Sequence, residues 1–231
     1  MLFRPPSRDA ARRRLLREVE DDLRECAAAT GVSALSRAVA DALLAVPRDA
    51  FVPPELRPFA WENRPLPIGL DQTISQPTIV ALMTELLGLG PADRVLEVGA
   101  GSGYQAAVLA AVLPQGHVHT VEILPALAEA ARERLRALGV ANVTVAKGDG
   151  RAGLPEAAPF AGILVTAVSG EVPPALPAQL APDGRLVLPL RDGEGTQWLT
   201  VLWRDPGGGW TRQRVLPVRF VPLTGGEDGP A

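Results

Sequence analysis

The sequence is poor in the residues that build disulfides and metal sites. Its 231 residues include one cysteine, Cys26, and two histidines, His117 and His119. A single cysteine excludes an internal disulfide and is typical of a reducing compartment. The histidines share one short apolar segment, without the cluster of ligands that zinc requires. We therefore expect no metal site, and we interpret both histidines as structural and Cys26 as an inert, partly buried thiol.

Long apolar runs and an excess of basic residues are also missing. No stretch is long enough to cross a bilayer, and no apolar segment of a secretory signal follows the basic N-terminus. The formal net charge is −3 and the pI is near 5.5, which argues against general binding to nucleic acid or membrane surfaces. We expect a soluble, cytoplasmic, monomeric protein with no nucleic-acid or membrane partner.

The sequence does contain enough apolar residues for a sizeable core. Hydrophobic residues make up 47% of the chain and charged residues 21%, as in an ordinary globular protein. The length suits one large domain or a domain with an extension. We expect N-terminal helices and a loop-rich extension over residues 1–70, a core over residues 71–224 and a tail over residues 225–231.

The most informative stretch is Arg94–Gly103, with the sequence RVLEVGAGSG. A short apolar run is followed by glycine at three alternate positions, Gly99, Gly101 and Gly103, and then by good helix formers. This order predicts a strand buried on both faces, a tight turn and a helix, which together form a nucleotide-type binding unit. Glycine in such a turn lets a ligand approach the backbone closely.

The spacing of the glycines distinguishes between cofactors. A dinucleotide-binding turn has the spacing G-x-G-x-x-G and receives a pyrophosphate at a helix N-terminus. Here the spacing is G-x-G-x-G, and the acidic Glu97 lies two residues before the first glycine. A carboxylate there would repel a pyrophosphate but would suit the sulfonium and ammonium of S-adenosylmethionine. The motif therefore favours S-adenosylmethionine, and an NAD-dependent dehydrogenase is the weakest alternative.

Two more acidic residues follow predicted strands. Glu122 ends the strand His117–Glu122, at about the distance beyond the glycine turn where an acid accepts the two ribose hydroxyls. Asp149 and Gly150 follow the strand Val143–Ala146, where a loop acid can hold the adenine amino group. Because open α/β sheets bind ligands at the carboxyl ends of their strands, we expect these acids to line one site.

Strands and helices alternate through the rest of the chain. A helix is predicted over Asp9–Ala29 and a second one from Ser33 as its cap. Gly69–Pro77 is predicted to be a polar turn region whose position at a helix N-terminus favours an anion. Gln197–Arg204 and Thr211–Val218 predict a β-hairpin. The whole predicts a Rossmann-like α/β fold of the class I S-adenosylmethionine-dependent methyltransferases: a doubly wound, mostly parallel sheet with a C-terminal β-hairpin and an N-terminal helical extension.

Several short stretches between Ala38 and Thr224 carry a family resemblance. They are VPR (46–48), FVP (51–53), RPLPIG (64–69), QTISQP (72–77), the glycine motif with YQAA (94–107), GDG (148–150) and LPVRFVPLT (216–224). On these stretches the chain resembles the protein-L-isoaspartate O-methyltransferase family of repair enzymes. The glycine motif alone would indicate only a methyltransferase, whereas TISQP and RFVPL are more specific. Thr78, after QTISQP, departs from the family pattern, which bears on substrate preference.

The resemblance implies a reaction and a set of site residues. The reaction is methyl transfer from S-adenosyl-L-methionine, which leaves S-adenosyl-L-homocysteine, to the carboxylate of isoaspartyl residues in damaged proteins and peptides. Ser75 is implied as the catalytic residue. The residues implied for substrate binding are Thr73, Ser75, Phe220 and Leu223, and those implied for cofactor binding are Gln72, Thr73, Ile74, Glu97, Gly99, Gly101, Glu122, Asp149 and Gly150.

The implied chemistry needs no strong base, because a carboxylate is already ionised at neutral pH. We expect the site to align the carboxylate with the methyl donor and to remove water from it. Two alternatives stay open: a carboxyl methyltransferase dedicated to one peptide, and a cofactor-binding adaptor without transferase activity. The presence of Ser75, Glu122 and Asp149 disfavours the adaptor.

Overall fold

A seven-stranded β-sheet with helices on its faces forms the centre of the protein, which a computed structural model describes over residues 7–225. The helices are α1 (Arg8–Glu25), α2 (Ala27–Thr30), α3 (Arg37–Ala45), α4 (Pro77–Leu87), α5 (Tyr104–Val112), α6 (Pro125–Ala137) and α7 (Ala175–Ala178). The strands are β1 (Leu66–Gly69), β2 (Gln72–Ile74), β3 (Arg94–Val98), β4 (His117–Glu122), β5 (Val143–Lys147), β6 (Phe160–Val165), β7 (Leu180–Arg191), β8 (Gln197–Arg204) and β9 (Trp210–Val218).

The sheet is parallel except at one edge. Its strand order is β5-β4-β3-β6-β7-β8-β9, with parallel pairing from β5 to β7 and antiparallel pairing of β8 with β7 and β9. The chain runs outward from β3 to β4 and β5, and then returns to place β6 on the other side of β3. This reversal is the switch point where open α/β sheets bind ligands. The predicted fold class, with its closing hairpin, is confirmed.

Apolar side chains cover both faces of β3. Val95 belongs to the apolar cluster that includes the N-terminal helices, whereas Leu96 and Val98 belong to a second cluster with Phe160 and Ile163. Side chains alternate between the two faces of a strand, so each face of β3 meets its own core. No helix within residues 7–225 is long and apolar enough to cross a membrane.

The N-terminal helices pack against α4 and α5, and their apolar side chains share one core. Leu15, Val19 and Leu23 recur along α1 at helical spacing and are buried in the same cluster as the side chains of α4. The hydroxyl of Ser7 accepts the amide of Ala10 at 3.3 Å, so the helix begins at Arg8 rather than at the predicted Asp9. The predicted division of the chain at residues 70 and 224 stays a prediction.

The cap of α3 differs from the predicted one. Ser36, and not Ser33, accepts the amide of Val39, at 3.4 Å. The amide and the hydroxyl of Ser36 also donate to the carboxylate of Glu85 on α4, at 2.9 and 3.0 Å. The prediction failed because a contact with a distant helix fixes where α3 begins.

The predicted turn region Gly69–Pro77 contains a small β-hairpin. β1 and β2 pair antiparallel, and a two-residue turn at Leu70 and Asp71 joins them. Both turn residues have positive φ, 52° and 55°, which Asn-Gly or Asp-Gly pairs adopt more easily than Leu-Asp. The hairpin therefore carries backbone strain at its turn, at the opposite end from Ile74.

Replacing Asp71 by glycine is expected to stabilise the protein by about 1 kcal/mol, because glycine adopts a positive φ without the Cβ clash. The Asp71 side chain makes no hydrogen bond or ion pair within residues 7–225, so no such contact is lost. Urea unfolding measures the change. Glu194→Gly, in an exposed turn whose φ is not positive, is the matched control and should not stabilise. Equal effects of the two glycines would contradict the strain at Asp71.

Candidate active site

A pocket lies at the carboxyl ends of β3, β4 and β6, beside the switch point of the sheet. Its walls come from residues 97–102 at the end of β3, 121–124 at the end of β4, and 166–167 after β6. The hairpin residues 72–75 and the C-terminal residues 221–224 complete the lining. We call it the strand-end pocket, and it brings together most of the residues predicted to bind the cofactor.

The glycine turn shapes this pocket and is held by Glu122. Gly99, Gly101 and Gly103 all have positive φ, at 95°, 52° and 87°. A Cβ at Gly99 would collide with the hydroxyl of Thr166, so this position requires glycine. The Glu122 carboxylate accepts the amides of Gly101 and Leu124 at 2.8 and 3.0 Å. A carboxylate has about four lone-pair sites, so two of them stay open to ligand hydroxyls.

Glu97 is a buried acid without a cationic partner among residues 7–225. Its side chain lines the strand-end pocket with no exposure to solvent, and the neighbouring polar group is the Thr120 hydroxyl. Burial raises the pKa of Glu97 to about 8; the neighbouring Thr120 hydroxyl lowers this pKa, and the charge of Glu122 raises it. The empty pocket therefore holds Glu97 mostly protonated at neutral pH, and a cationic group of a ligand would favour its ionised form.

Gly150, and not Asp149, lines the strand-end pocket. A Cβ at Gly150 would collide with Val98, so the loop after β5 requires glycine to approach β3 so closely. The Asp149 carboxylate accepts the amide of Arg151 at 2.9 Å and lies against the backbone of Gly225. Asp149 therefore supports the loop and the C-terminal segment, and its predicted contact with an adenine ring stays a prediction.

A second concavity adjoins the strand-end pocket across the hairpin. This hairpin cleft shares four residues with the pocket, namely Thr73, Ser75, Thr166 and Val221. The rest of its lining is mostly apolar, and Arg219 is the one charged side chain within the described residues that lines it: Pro65, Gln76, Ile79, Pro217, Val218, Arg219 and Phe220. Two ligands bound in the two concavities would meet at the shared residues.

The predicted substrate residues divide between the two concavities. Phe220 lines the hairpin cleft and Leu223 lines the strand-end pocket, whereas Thr73 and Ser75 line both. The side chain of Gln197 holds the C-terminal segment in place at Phe220. It accepts the Phe220 amide at 2.6 Å and donates to the Phe220 carbonyl at 3.3 Å. Leu223 is held by its amide, which donates to the carbonyl of Val168 at 2.8 Å.

Ser75 has a hydroxyl that is available to a ligand. The residue is half-buried at the junction, and its hydroxyl makes no hydrogen bond to another residue between positions 7 and 225. The backbone amides at the start of α4 are less available than the sequence suggests. Pro77 has no amide hydrogen, and the amides of Thr78 and Ile79 donate to Asn63 and Gln76. An anion at this helix N-terminus would therefore depend less on these amides than on the hydroxyls of Ser75 and Thr73.

Comparisons with known proteins agree with this geometry. The sequence profile of the protein-L-isoaspartate(D-aspartate) O-methyltransferase family matches residues 20–228. The chain is 50% identical over 217 residues to protein-L-isoaspartate O-methyltransferase 2 of Syntrophobacter fumaroxidans, which covers 94% of this chain and 87% of that protein. It is 56% identical over 189 residues to the Anaeromyxobacter dehalogenans protein-L-isoaspartate O-methyltransferase, covering 81% and 90%. The chain belongs to this family.

Solved structures of similar proteins show the same fold. A protein-L-isoaspartate O-methyltransferase structure aligns with a TM-score of 0.78 and 31% identity, covering 94% of this chain and 67% of that chain. A Plasmodium falciparum protein described as a protein-L-isoaspartate O-methyltransferase, in complex with S-adenosyl-L-homocysteine, aligns with a TM-score of 0.75 and 23% identity, covering 94% and 97%. This member of the protein-L-isoaspartate O-methyltransferase family therefore has the class I methyltransferase fold.

The sequence did not indicate Thr166, which lines both concavities of this methyltransferase site, or Arg48, which contacts the site from outside. Thr166 follows β6, and its hydroxyl lies 3.1 Å from the carbonyl of Val98 and 2.7 Å from that of Gly99, so it can donate to either. Its position at the end of a strand next to β3 was the available signal. Arg48 is fully buried and contacts the carbonyl of Ser75, although no pattern in the sequence indicates this contact.

The histidines lie away from the site. His117 begins β4 and its Nε2 lies 2.8 Å from the Thr144 hydroxyl, at the amino end of the strand, whereas Glu122 ends the strand at the pocket. Burial and the charges of His117 and Arg94 lower the pKa of His119. Residues 7–225 contain no group of three or more potential metal ligands. The predicted structural role of the histidines agrees with this placement.

Replacing Glu97 by glutamine is expected to remove a pH-dependent cost from the ligand-free protein. The pKa is about 8 in the folded state and 4.5 in ordinary surroundings, so between these values the folded state holds a proton that the unfolded state releases. As pH rises through this window, the parent should lose stability relative to the variant by at most about 1.4 kcal/mol per pH unit. Urea unfolding near both ends of the window measures the difference between the unfolding free energies of the parent and the variant.

Glu133→Gln, on the exposed face of α6, is the matched control for that experiment. Its stability relative to the parent should change little between the two pH values. If the difference in stability between Glu97→Gln and the parent did not change with pH, the raised pKa of Glu97 would be contradicted.

Proposed function

We propose that this protein transfers a methyl group from S-adenosyl-L-methionine to the free carboxylate of isoaspartyl residues in peptides and damaged proteins. The observation that carries the proposal is the pair of concavities that share Thr73, Ser75 and Thr166. A two-substrate transfer needs both partners to meet at one place with water excluded. The names of the relatives and the S-adenosyl-L-homocysteine in the Plasmodium falciparum structure support the same assignment.

The strand-end pocket fits S-adenosylmethionine in its charge and its donors. Glu97 has no cationic partner within residues 7–225 and would ionise beside an ammonium, and the open lone pairs of Glu122 suit two ribose hydroxyls. Two acidic side chains in one pocket disfavour the pyrophosphate of a dinucleotide, and therefore NAD. When bound, the cofactor would supply the electrophilic methyl group.

The residues of the hairpin cleft would orient and desolvate the accepting carboxylate. The Ser75 hydroxyl can donate one hydrogen bond to it, and Thr73 offers a second hydroxyl on the same wall. Apolar lining from Ile79 and Phe220 excludes water, which leaves the carboxylate oxygen a better nucleophile. Arg219 adds positive charge at the cleft, which favours an anionic group.

The proposed reaction needs no general base from the protein. The carboxylate is ionised near neutral pH and attacks the methyl carbon directly, so no proton has to be removed. Tyr104, which also lines the strand-end pocket, has a pKa raised to about 12 by burial and stays a neutral phenol. After release, the following backbone nitrogen can attack the methyl ester, expelling methanol and closing a succinimide. Monomeric state and cytoplasmic location stay predictions.

Methyl transfer to matched peptides tests the proposal. Labelled S-adenosylmethionine is incubated with two synthetic peptides of one sequence, one with isoaspartate and one with aspartate at a single position. We expect label on the isoaspartyl peptide alone, in the form of a base-labile methyl ester. Unrelated flanking sequences should also be accepted.

Two outcomes of that assay would contradict the proposal. Equal labelling of both peptides would remove the specificity for isoaspartate. Binding of the cofactor without labelling of any isoaspartyl peptide would favour the alternatives: a transferase dedicated to one peptide, or an adaptor without transferase activity.

Replacing Ser75 by alanine is expected to lower kcat roughly tenfold or more, because the carboxylate loses the donor that aligns it. The dissociation constant for S-adenosylmethionine should stay within a factor of about two, since Glu97 and Glu122 are unchanged. Steady-state kinetics and calorimetry measure the two quantities. Ser33→Ala, which removes an exposed serine remote from both concavities, is the control. Equal loss of turnover and of cofactor affinity would contradict the role given to Ser75.

A further inference from the structure

Arg48 is a fully buried cation that belongs to neither concavity. It lies in the 3-10 turn Arg48–Ala50, and its side chain has no exposure to solvent. Its guanidinium forms no ion pair with an acid in the range 7–225, because the adjacent Asp49 pairs with Arg8 instead. Burial lowers the pKa of Arg48 to about 10, so the side chain remains charged at neutral pH.

The guanidinium joins the two ends of the β1–β2 hairpin. Its Nη2 donates to the carbonyl of Arg64, at 3.0 Å, and to the carbonyl of Ser75, at 3.1 Å. Arg64 precedes β1 and Ser75 follows β2, so one nitrogen spans the base of the hairpin. The strain at Leu70 and Asp71 lies at the opposite end.

The same side chain also contacts the helix that follows the glycine turn. Its guanidinium carbon lies 5.4 Å from the centre of the Tyr104 ring, within the range of a cation–π contact. Tyr104 begins α5 and lines the strand-end pocket, and Phe51 contacts its ring edge at 5.5 Å between ring centres. Arg48 therefore links the hairpin that carries Ser75 with the unit that forms the pocket.

Burial of the Arg48 charge lowers the stability of the folded protein, so stability alone does not explain why a cation lies here. The Nε and Nη1 groups of Arg48 have no hydrogen-bond partner in the described part of the chain. A buried ion can often be replaced by an apolar side chain of similar volume with little loss of stability, and sometimes with a gain. A role in holding Ser75 gives this position a functional reason to keep a guanidinium.

We propose that Arg48 is a positioning residue, which holds Ser75 at a fixed place relative to the strand-end pocket. The proposal rests on the proposed role of Ser75 in binding the carboxylate. Arg48 itself lines neither concavity, and its effect on turnover passes through residues that do, chiefly the backbone carbonyl of Ser75 and also the ring of Tyr104.

Two substitutions at position 48 test the proposal. Arg48→Met keeps the volume and removes the donors, and should lower kcat roughly 10- to 100-fold, because small displacements of aligning groups cost this much. Arg48→Lys retains one charged donor that can reach one carbonyl, and should recover part of the loss. Cofactor affinity should change by less than about threefold in both variants, since neither removes a pocket residue.

Asn142→Ala is the matched control. The Asn142 side-chain amide also bridges two carbonyls, those of Ala110 at 3.0 Å and Leu113 at 2.8 Å, outside both concavities. Hydrogen–deuterium exchange supplies a readout that does not depend on activity. Exchange over residues 72–76 should rise in Arg48→Met and stay at the parental level in Asn142→Ala.

The outcomes separate this proposal from the proposed function. Unchanged kcat and unchanged exchange over residues 72–76 in Arg48→Met would overturn the positioning role, as would a loss of turnover matched by equal loss of cofactor affinity. Lost turnover with faster exchange, partly recovered in Arg48→Lys, supports it. If Ser75→Ala keeps full turnover, the assigned function of Ser75 fails, and the effect of Arg48 on catalysis fails with it.

Discussion

The glycine turn after β3 is the constraint on which the rest of the site depends. Its positive φ angles turn the chain sharply above the end of a strand that is buried on both faces. The turn leaves Glu97 in the pocket wall without a cationic partner within residues 7–225, and it places the amide of Gly101 on Glu122. Burial makes ionisation of Glu97 costly in the empty protein. A bound cation offsets that cost, so the same group that resists ionisation in the empty pocket selects the ligand.

The other half of the site is built from segments far apart in the chain. The β1–β2 hairpin supplies Ser75, and the C-terminal segment supplies Phe220 and Leu223. Each segment is held by a polar side chain from elsewhere: Arg48 at the base of the hairpin and Gln197 on the amide and carbonyl of residue 220. These hydrogen bonds fix the two segments where the pocket and the cleft meet. The geometry of the transfer therefore depends on buried polar contacts more than on the sheet itself.

Elements that depend on local sequence pattern were predicted correctly, whereas features fixed by contacts between distant residues were missed. β4 and the start of α4 at Pro77 follow from apolar periodicity and proline chemistry, and the structure has both at the predicted places. The predicted cap of α3 was wrong because Glu85 of another helix binds Ser36, a contact between residues far apart in the sequence. The role of Arg48 had no local signal, since its acceptors are backbone carbonyls 16 and 27 residues away.

A crystal structure with S-adenosyl-L-homocysteine and an isoaspartyl peptide would test the central claim most directly, namely that the two ligands meet across the wall formed by Thr73, Ser75 and Thr166. We expect the cofactor product in the strand-end pocket with its amino group on Glu97, and the peptide in the hairpin cleft with its isoaspartyl carboxylate on the Ser75 hydroxyl. A carboxylate bound away from Ser75, or a peptide bound outside the hairpin cleft, would contradict it.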